Sequence, residues 1–220
     1  MSPEIVSELA PTGVLRAGIN LSNFLLVTGR SATGDPQGVA PDLAGEIASR
    51  LGVPIKYVPF KSPGELADAV GTGVWDIGLI GAEPQRAEKI VFTAAYCEIE
   101  ATYLVPAGSK LRTIADVDAS GVRIAVTARS AYEQFTRDKL EALAGLLPRL
   151  LTDVEKLPGA RIIDGKFTAV QQAVGTSPKN KAAVAYLRGF VEEAKSSGLV
   201  AELIARHNVR GLSVASAAAR

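Results

Sequence analysis

Between Val14 and Gly81 the chain alternates short apolar runs with stretches of helical spacing. Val14–Asn20 (VLRAGIN) alternates and reads as a first strand. Leu43, Ile47 and Leu51 recur every four residues, which predicts a helix over about 42–51 that Gly52 ends. Val53–Phe60 (VPIKYVPF) is a second strand. Ser62-Pro63-Gly64-Glu65 is a capping box: Ser62 accepts from the amide three residues on, and Glu65 reaches back. The helix it opens carries Leu66 and Val70 and stops near Gly71–Gly73. Asp76–Gly81 (DIGLIG) is an apolar run of the kind a parallel sheet buries on both faces. Strand, helix, strand, helix, strand implies a parallel sheet with right-handed crossovers. Such sheets bind ligands outside the carboxyl ends of their strands, which points to the loops after Asn20 and Ile80. Leu21–Pro41 is rich in Ser, Gly, Thr and Pro and reads as a loop, with a turn at Asp35-Pro36-Gln37-Gly38.

The second half changes rhythm. Glu98–Val105 (EIEATYLV) alternates and is long enough to cross between two lobes. Thr113-Ile114-Ala115-Asp116 starts a short helix, and Val122–Ala128 (VRIAVTA) opens a second sheet. Ser130-Ala131-Tyr132-Glu133 is another capping box. Glu141–Leu146 is a buried strand, Asp164-Gly165 a turn, and Phe167–Gly175 a strand that returns to the first lobe. A last helix runs from about Asn180, with Val184, Leu187, Val191 and Ala194 on one face. It breaks at Ser196–Gly198, resumes over Leu199–Arg206, and leaves SVASAAAR as a frayed tail.

Composition removes several function classes. The net charge is +1 without a long basic run, so nucleic acid is not an expected partner. No apolar stretch of about 18 residues is present, so no membrane span is read. Cys97 is the one cysteine and lies in the apolar run AAYCEIEATYLV, where it reads as a small buried hydrophobe and not as a thiolate ligand or nucleophile. His207, the one histidine, falls in the last turn of a helix and faces its dipole. No metal and no cofactor are expected. Met1–Gly13 lacks a basic segment followed by an apolar one, so either a signal peptide has been removed or the chain is cytoplasmic.

Taken in order, the motifs resemble a family. Gly-x-x-Pro-Asp-Leu-Ala-x-Glu-Ile-Ala-x-x-Leu-Gly spans Gly38–Gly52, and Gly-x-x-Asp-Ile spans Gly73–Ile77. Glu83-Pro84-Gln85-Arg86 and the Ile90–Tyr96 run follow, then Thr113–Val117 and VRIAVTARSAY. This order is similar to the type II periplasmic solute-binding proteins of ABC importers, amino-acid-binding branch. The resemblance implies an α/β protein with a two-lobed periplasmic-binding-protein-like fold, each lobe a mainly parallel sheet flanked by helices. Lobe 1 would be 1–99 plus 176–220, and lobe 2 would be 100–175. Lobe 2 departs from the family by lacking about one strand-and-helix unit, on the order of 25 residues.

The resemblance implies a non-enzymatic, periplasmic monomer that holds a small solute between its lobes and docks on a membrane permease. Arg86 would be its carboxylate-binding arginine, since a guanidinium offers a carboxylate two parallel hydrogen bonds. Ser130 and Ala131, at a helix N-terminus, would offer backbone amides to an anionic group. Asn20 and Asn23 supply neutral donors and acceptors after the first strand, and the amides of Gly81 and Ala82 are placed for close contact. Gln171 and Gln172 sit on opposite faces of the returning strand, so one of them at most faces a ligand. No carboxylate stands where the family's ammonium-binding acid follows the second-lobe strand. A carboxylate-bearing solute, amino acid or organic acid, is therefore the expected class. Two other readings use the same residues: a dehydratase-like enzyme with Glu83 as its acid, and a shortened or engineered domain with no ligand.

Overall fold

The computed structural model describes residues 1–126 and 141–218. In chain order the elements are α1 (Pro3–Leu9), β1 (Leu15–Asn20), β2 (Gly29–Arg30), β3 (Pro36–Gln37), α2 (Val39–Leu51), β4 (Ile55–Phe60), α3 (Pro63–Asp68), β5 (Ile77–Gly81) and α4 (Pro84–Ala87). There follow β6 (Val91–Val105), α5 (Ile114–Val117), β7 (Ile124–Ala125), β8 (Ala142–Leu146), α6 (Leu147–Val154), β9 (Arg161–Ile162), β10 (Thr168–Thr176), α7 (Lys181–Ser196), α8 (Leu199–Arg206) and β11 (Leu212–Val214). They form two compact units, Met1–Glu98 with Gln171–Arg220, and Ile99–Val170.

In the first unit β1 lies between β4 and β5 and is parallel to both, as the alternation of strands and helices demands. β10 then pairs antiparallel with β5, from Gln172 opposite Gly81 to Thr176 opposite Ile77. One face of this sheet is covered by α2, α7 and α8, and α1 packs against α7. Its core includes Leu15, Ile19, Leu43, Ile47, Leu79 and Leu187. The opposite face is narrower: Leu66 of α3 meets Trp75, Ile80 and Ile90, and the Trp75 indole donates to the Leu66 carbonyl at 3.0 Å.

The second unit builds its sheet on the later part of β6. β8 and β9 pair with it antiparallel, and β7 lies parallel to β8. Its core contains Ala101, Tyr103, Val105, Val117 and Ile163. Tyr103 stacks on Phe167 with ring centroids 4.5 Å apart, and its hydroxyl donates to Asp118 at 2.7 Å.

Several expectations need correction. α2 begins at Val39, three residues before the spacing of its leucines suggests, because Gly38 caps it at φ 146°. A side chain at Gly38 would strike the Leu26 carbonyl oxygen. The turn lies at Ser31–Asp35, where Gly34 N donates to Ser31 O and Ser31 N to Asp35 O; Pro36–Gln37 is instead the strand β3, paired with β2. Ser62 does accept from Glu65 N, but the Glu65 carboxylate takes the amide of Lys61, not that of Ser62. The full capping box occurs at Thr113 and Asp116. α1 and α6 were not read from the sequence at all: each opens on a proline in its first turn with no side-chain cap hydrogen bond. The largest correction is the tail. β11 pairs with β6, Ala215 is buried and donates to Tyr96 O at 3.2 Å, and Lys195 Nζ donates to Ser216 O at 2.8 Å. Small side chains let this segment lie close to its neighbours, so through residue 218 it is docked, not frayed. The expected Val122–Ala128 strand is described only to residue 126, and the proposed missing unit falls beside residues 127–140, outside the described ones.

Candidate functional site

The carboxyl ends of β1 and β5 lie side by side in the first unit, because Ile19 pairs with Leu79. β5 is buried along its whole length, so the chain becomes accessible only where it leaves the sheet after Gly81. This end brings together Asn20, Gly81, Ala82 and Arg86. Asn20 is buried, and its Oδ1 accepts from both the amide and the hydroxyl of Ser22, at 3.1 and 2.8 Å. Asn23 closes the next turn: its Oδ1 accepts from Leu25 N at 3.2 Å, and its carbonyl takes the amides of Leu26 and Val27.

Arg86 stands in the single turn of α4 and folds back, with Nη1 donating to Gly81 O at 2.8 Å. That bond ties the guanidinium to the end of β5. Glu83 caps α4 from its half-buried position, and its amide also donates to Gly81 O at 3.0 Å. Burial lifts the Glu83 carboxyl above its ordinary value, against the opposing pull of the Arg86 charge. One expectation is corrected here: the Ala82 amide is not open to a ligand, because it donates to Gln171 O at 2.8 Å and extends the β5–β10 pairing by one residue. Ser130 and Ala131 lie outside the described residues.

β10 decides between the two glutamines in burial. Gln172 is 4% exposed and opposite Gly81, whereas Gln171 is half-buried. Period two separates the faces of the two glutamines but does not say which face is covered. Cys97 is fully buried in the main core, which pushes its thiol far above the ordinary range and leaves it inert as a nucleophile. His207 caps α8 and places Nε2 2.8 Å from Asp42 Oδ2, where it fastens α8 to the first turn of α2. Among the described residues no group of three or more His, Cys, Asp and Glu is placed to hold a metal ion. No described helix is long and apolar enough to cross a membrane.

The comparisons with known proteins follow this geometry. The family model of the bacterial extracellular solute-binding proteins, family 3, matches residues 20–209. No curated protein matches. A mutant of ArgBP from T. maritima superimposes with a TM-score of 0.69 at 20% identity, covering 94% of this chain and 100% of that one. The substrate binding protein of an amino acid ABC transporter gives 0.67 at 18% identity, covering 88% and 98%. An ancestral cyclohexadienyl dehydratase gives 0.58 at 20% identity, covering 94% and 97%. At these identities the likeness is one of fold: a mixed α/β architecture of the type II periplasmic-binding-protein kind.

Proposed function

Because the chain belongs to the bacterial extracellular solute-binding proteins, family 3, we propose that it is the receptor of an ABC importer for a small carboxylate-bearing solute. The observation that carries the solute class is Arg86, tied by its own hydrogen bond to the carboxyl end of a fully buried strand. A guanidinium in that place binds a carboxylate through two parallel bonds, with geometry as well as charge selecting the ligand. Asn20 ends β1 at the same end, and Asn23 stands in the loop that follows. The solute-bound form docks on a membrane permease. The protein works outside the cytoplasm, as a monomer, without cofactor or catalysis. Similar proteins whose names refer to arginine binding and amino acid transport support this reading.

A thermal-shift screen against amino acids, dicarboxylates and aromatic acids tests it. A ligand of the folded state raises Tm with concentration by mass action. The expected result is such a shift, abolished by Arg86→Ala. Absence of any shift overturns the reading.

One observation favours a second reading. Glu83 is a carboxyl with a raised pKa beside Arg86, as a general acid requires, and one similar fold is named a dehydratase. Turnover of a cyclohexadienyl carboxylic acid, lost in Glu83→Gln, would replace the receptor reading with this one.

A further inference from the structure

Among the described residues six polar side chains are buried: Asn20, Asp76, Thr93, Thr102, Gln172 and Thr176. Five of them are paired. Asn20 accepts from Ser22, Asp76 from Arg16, and Thr102 donates to Ile163 O at 3.0 Å. Thr93 donates to Ala94 O and accepts from Val174 N, while Thr176 donates to Asp76 O and accepts from Asn180. Gln172, 4% exposed, makes no side-chain hydrogen bond among the described residues. Unlike the hydroxyls of Tyr96 and Tyr186, its amide is not sealed from outside.

A nearly buried amide that no protein group pairs is only partly hydrated, which is unfavourable, and it stays open to a partner from outside. Its position says which partner. Gln172 pairs across the sheet with Gly81, whose carbonyl anchors Arg86. A carboxamide presents one acceptor and two donor hydrogens without charge. A ligand group that satisfies both roles is itself neutral and carries both donor and acceptor. A bare ammonium or carboxylate in so enclosed a place would lose its hydration and gain no counter-charge from Gln172.

Resting on the receptor reading, we propose that Gln172 is a specificity-determining residue, selecting solutes that carry a neutral carboxamide or hydroxyl besides their carboxylate. The site thus divides its work. Arg86 holds the carboxylate common to the class, and Gln172 chooses the member.

The test is calorimetric titration of the full chain with glutamine, asparagine, serine and lactate as neutral polar probes, glutamate and lysine as charged ones, and leucine as the apolar one. The expected result is tightest binding of a neutral polar probe. Gln172→Met should weaken it about tenfold or more. The same change should raise the Tm of the ligand-free protein by about 2–4 °C, because it removes an unpaired amide; a residue with a structural role would lower it. Gln172→Asn, which keeps the amide but withdraws it by one methylene, should also weaken the best probe, while Gln171→Met should not. Preference for glutamate, lysine or leucine overturns the inference. So does affinity within about threefold of wild type in Gln172→Met, or in Gln172→Asn where the Met variant does not fold. If Arg86→Ala still abolishes binding in those cases, the receptor reading stands alone. A wild-type protein that binds none of the probes overturns both.

Discussion

Thr176 and Gln172 lie on one strand, four residues apart and on the same face by alternation, and both are buried, yet their surroundings are opposite. Thr176 lies at the amino end of β5, where its hydroxyl and the Asp76 carboxylate are both paired. Its hydroxyl donates to Asp76 O at 2.8 Å and accepts from Asn180 Nδ2 at 2.9 Å. The Asp76 carboxylate takes the amide and two guanidinium nitrogens of Arg16, which also reaches Gly73 O. Gln172 lies at the carboxyl end, with an unpaired amide, a carboxyl whose pKa is raised, and an arginine anchored on a strand-end carbonyl. The same sheet is thus closed at one end and chemically unfinished at the other. A fold that can satisfy its polar groups so fully at Asp76 is not short of means at Gln172, so the difference reads as function.

The comparison breaks most easily at Asp76. Asp76→Asn removes the charge from a carboxylate side chain that is 4% exposed and leaves Arg16 without its partner. A stability loss of about 3–5 kcal/mol is expected in urea denaturation; a loss under about 1 kcal/mol would show that this end is not held by its ion pair. Arg86→Ala should do the reverse: solute affinity falls about a hundredfold in calorimetry while stability changes by less than about 1 kcal/mol. Thr176→Val sharpens the contrast within β10, with an expected cost of about 1–2 kcal/mol, against the gain expected from Gln172→Met. The smallest effect is at Glu83. Its pKa is raised by burial, so the folded protein holds the proton more tightly than the unfolded chain does. Stability therefore falls as pH rises from the ordinary carboxylate value of 4.5 through the raised folded value. Glu83→Gln should flatten that limb of the pH–stability curve, with a gain above it of less than about 0.5 kcal/mol after solvent screening.

Much of the fold was legible where the signal is local. β1, α2, β4, α3 and β5 fall where alternation, four-residue spacing and an apolar run place them, within a few residues. Half of the Ser62 box acts as read, with Glu65 N donating to Ser62 Oγ, and the helix start at Thr113 proves to carry the full box. β11 was not legible, because nothing in its own composition distinguishes it from a loop; α1 lacks a side-chain cap, and α6, despite Leu147, Leu150, Leu151 and Val154 at helical spacing, follows directly on a strand without one. β11 exists only as a partner of β6. The carboxyl end of the sheet was legible as a place, and the structure sets Arg86 there on the Gly81 carbonyl. The pairing of the Ala82 amide was not, since its acceptor, Gln171, lies far along the chain.

Hydrophobic period, caps and glycines by themselves determined the α/β class and the parallel order of the first three strands. Only the folded arrangement decided which polar groups are spent on the protein. That decision lies in contacts such as Arg16 with Asp76 and Thr176 with Asp76, between residues far apart in the chain. A hydrogen bond needs its two partners within about 3 Å, and no spacing along a sequence states which distant residues will meet.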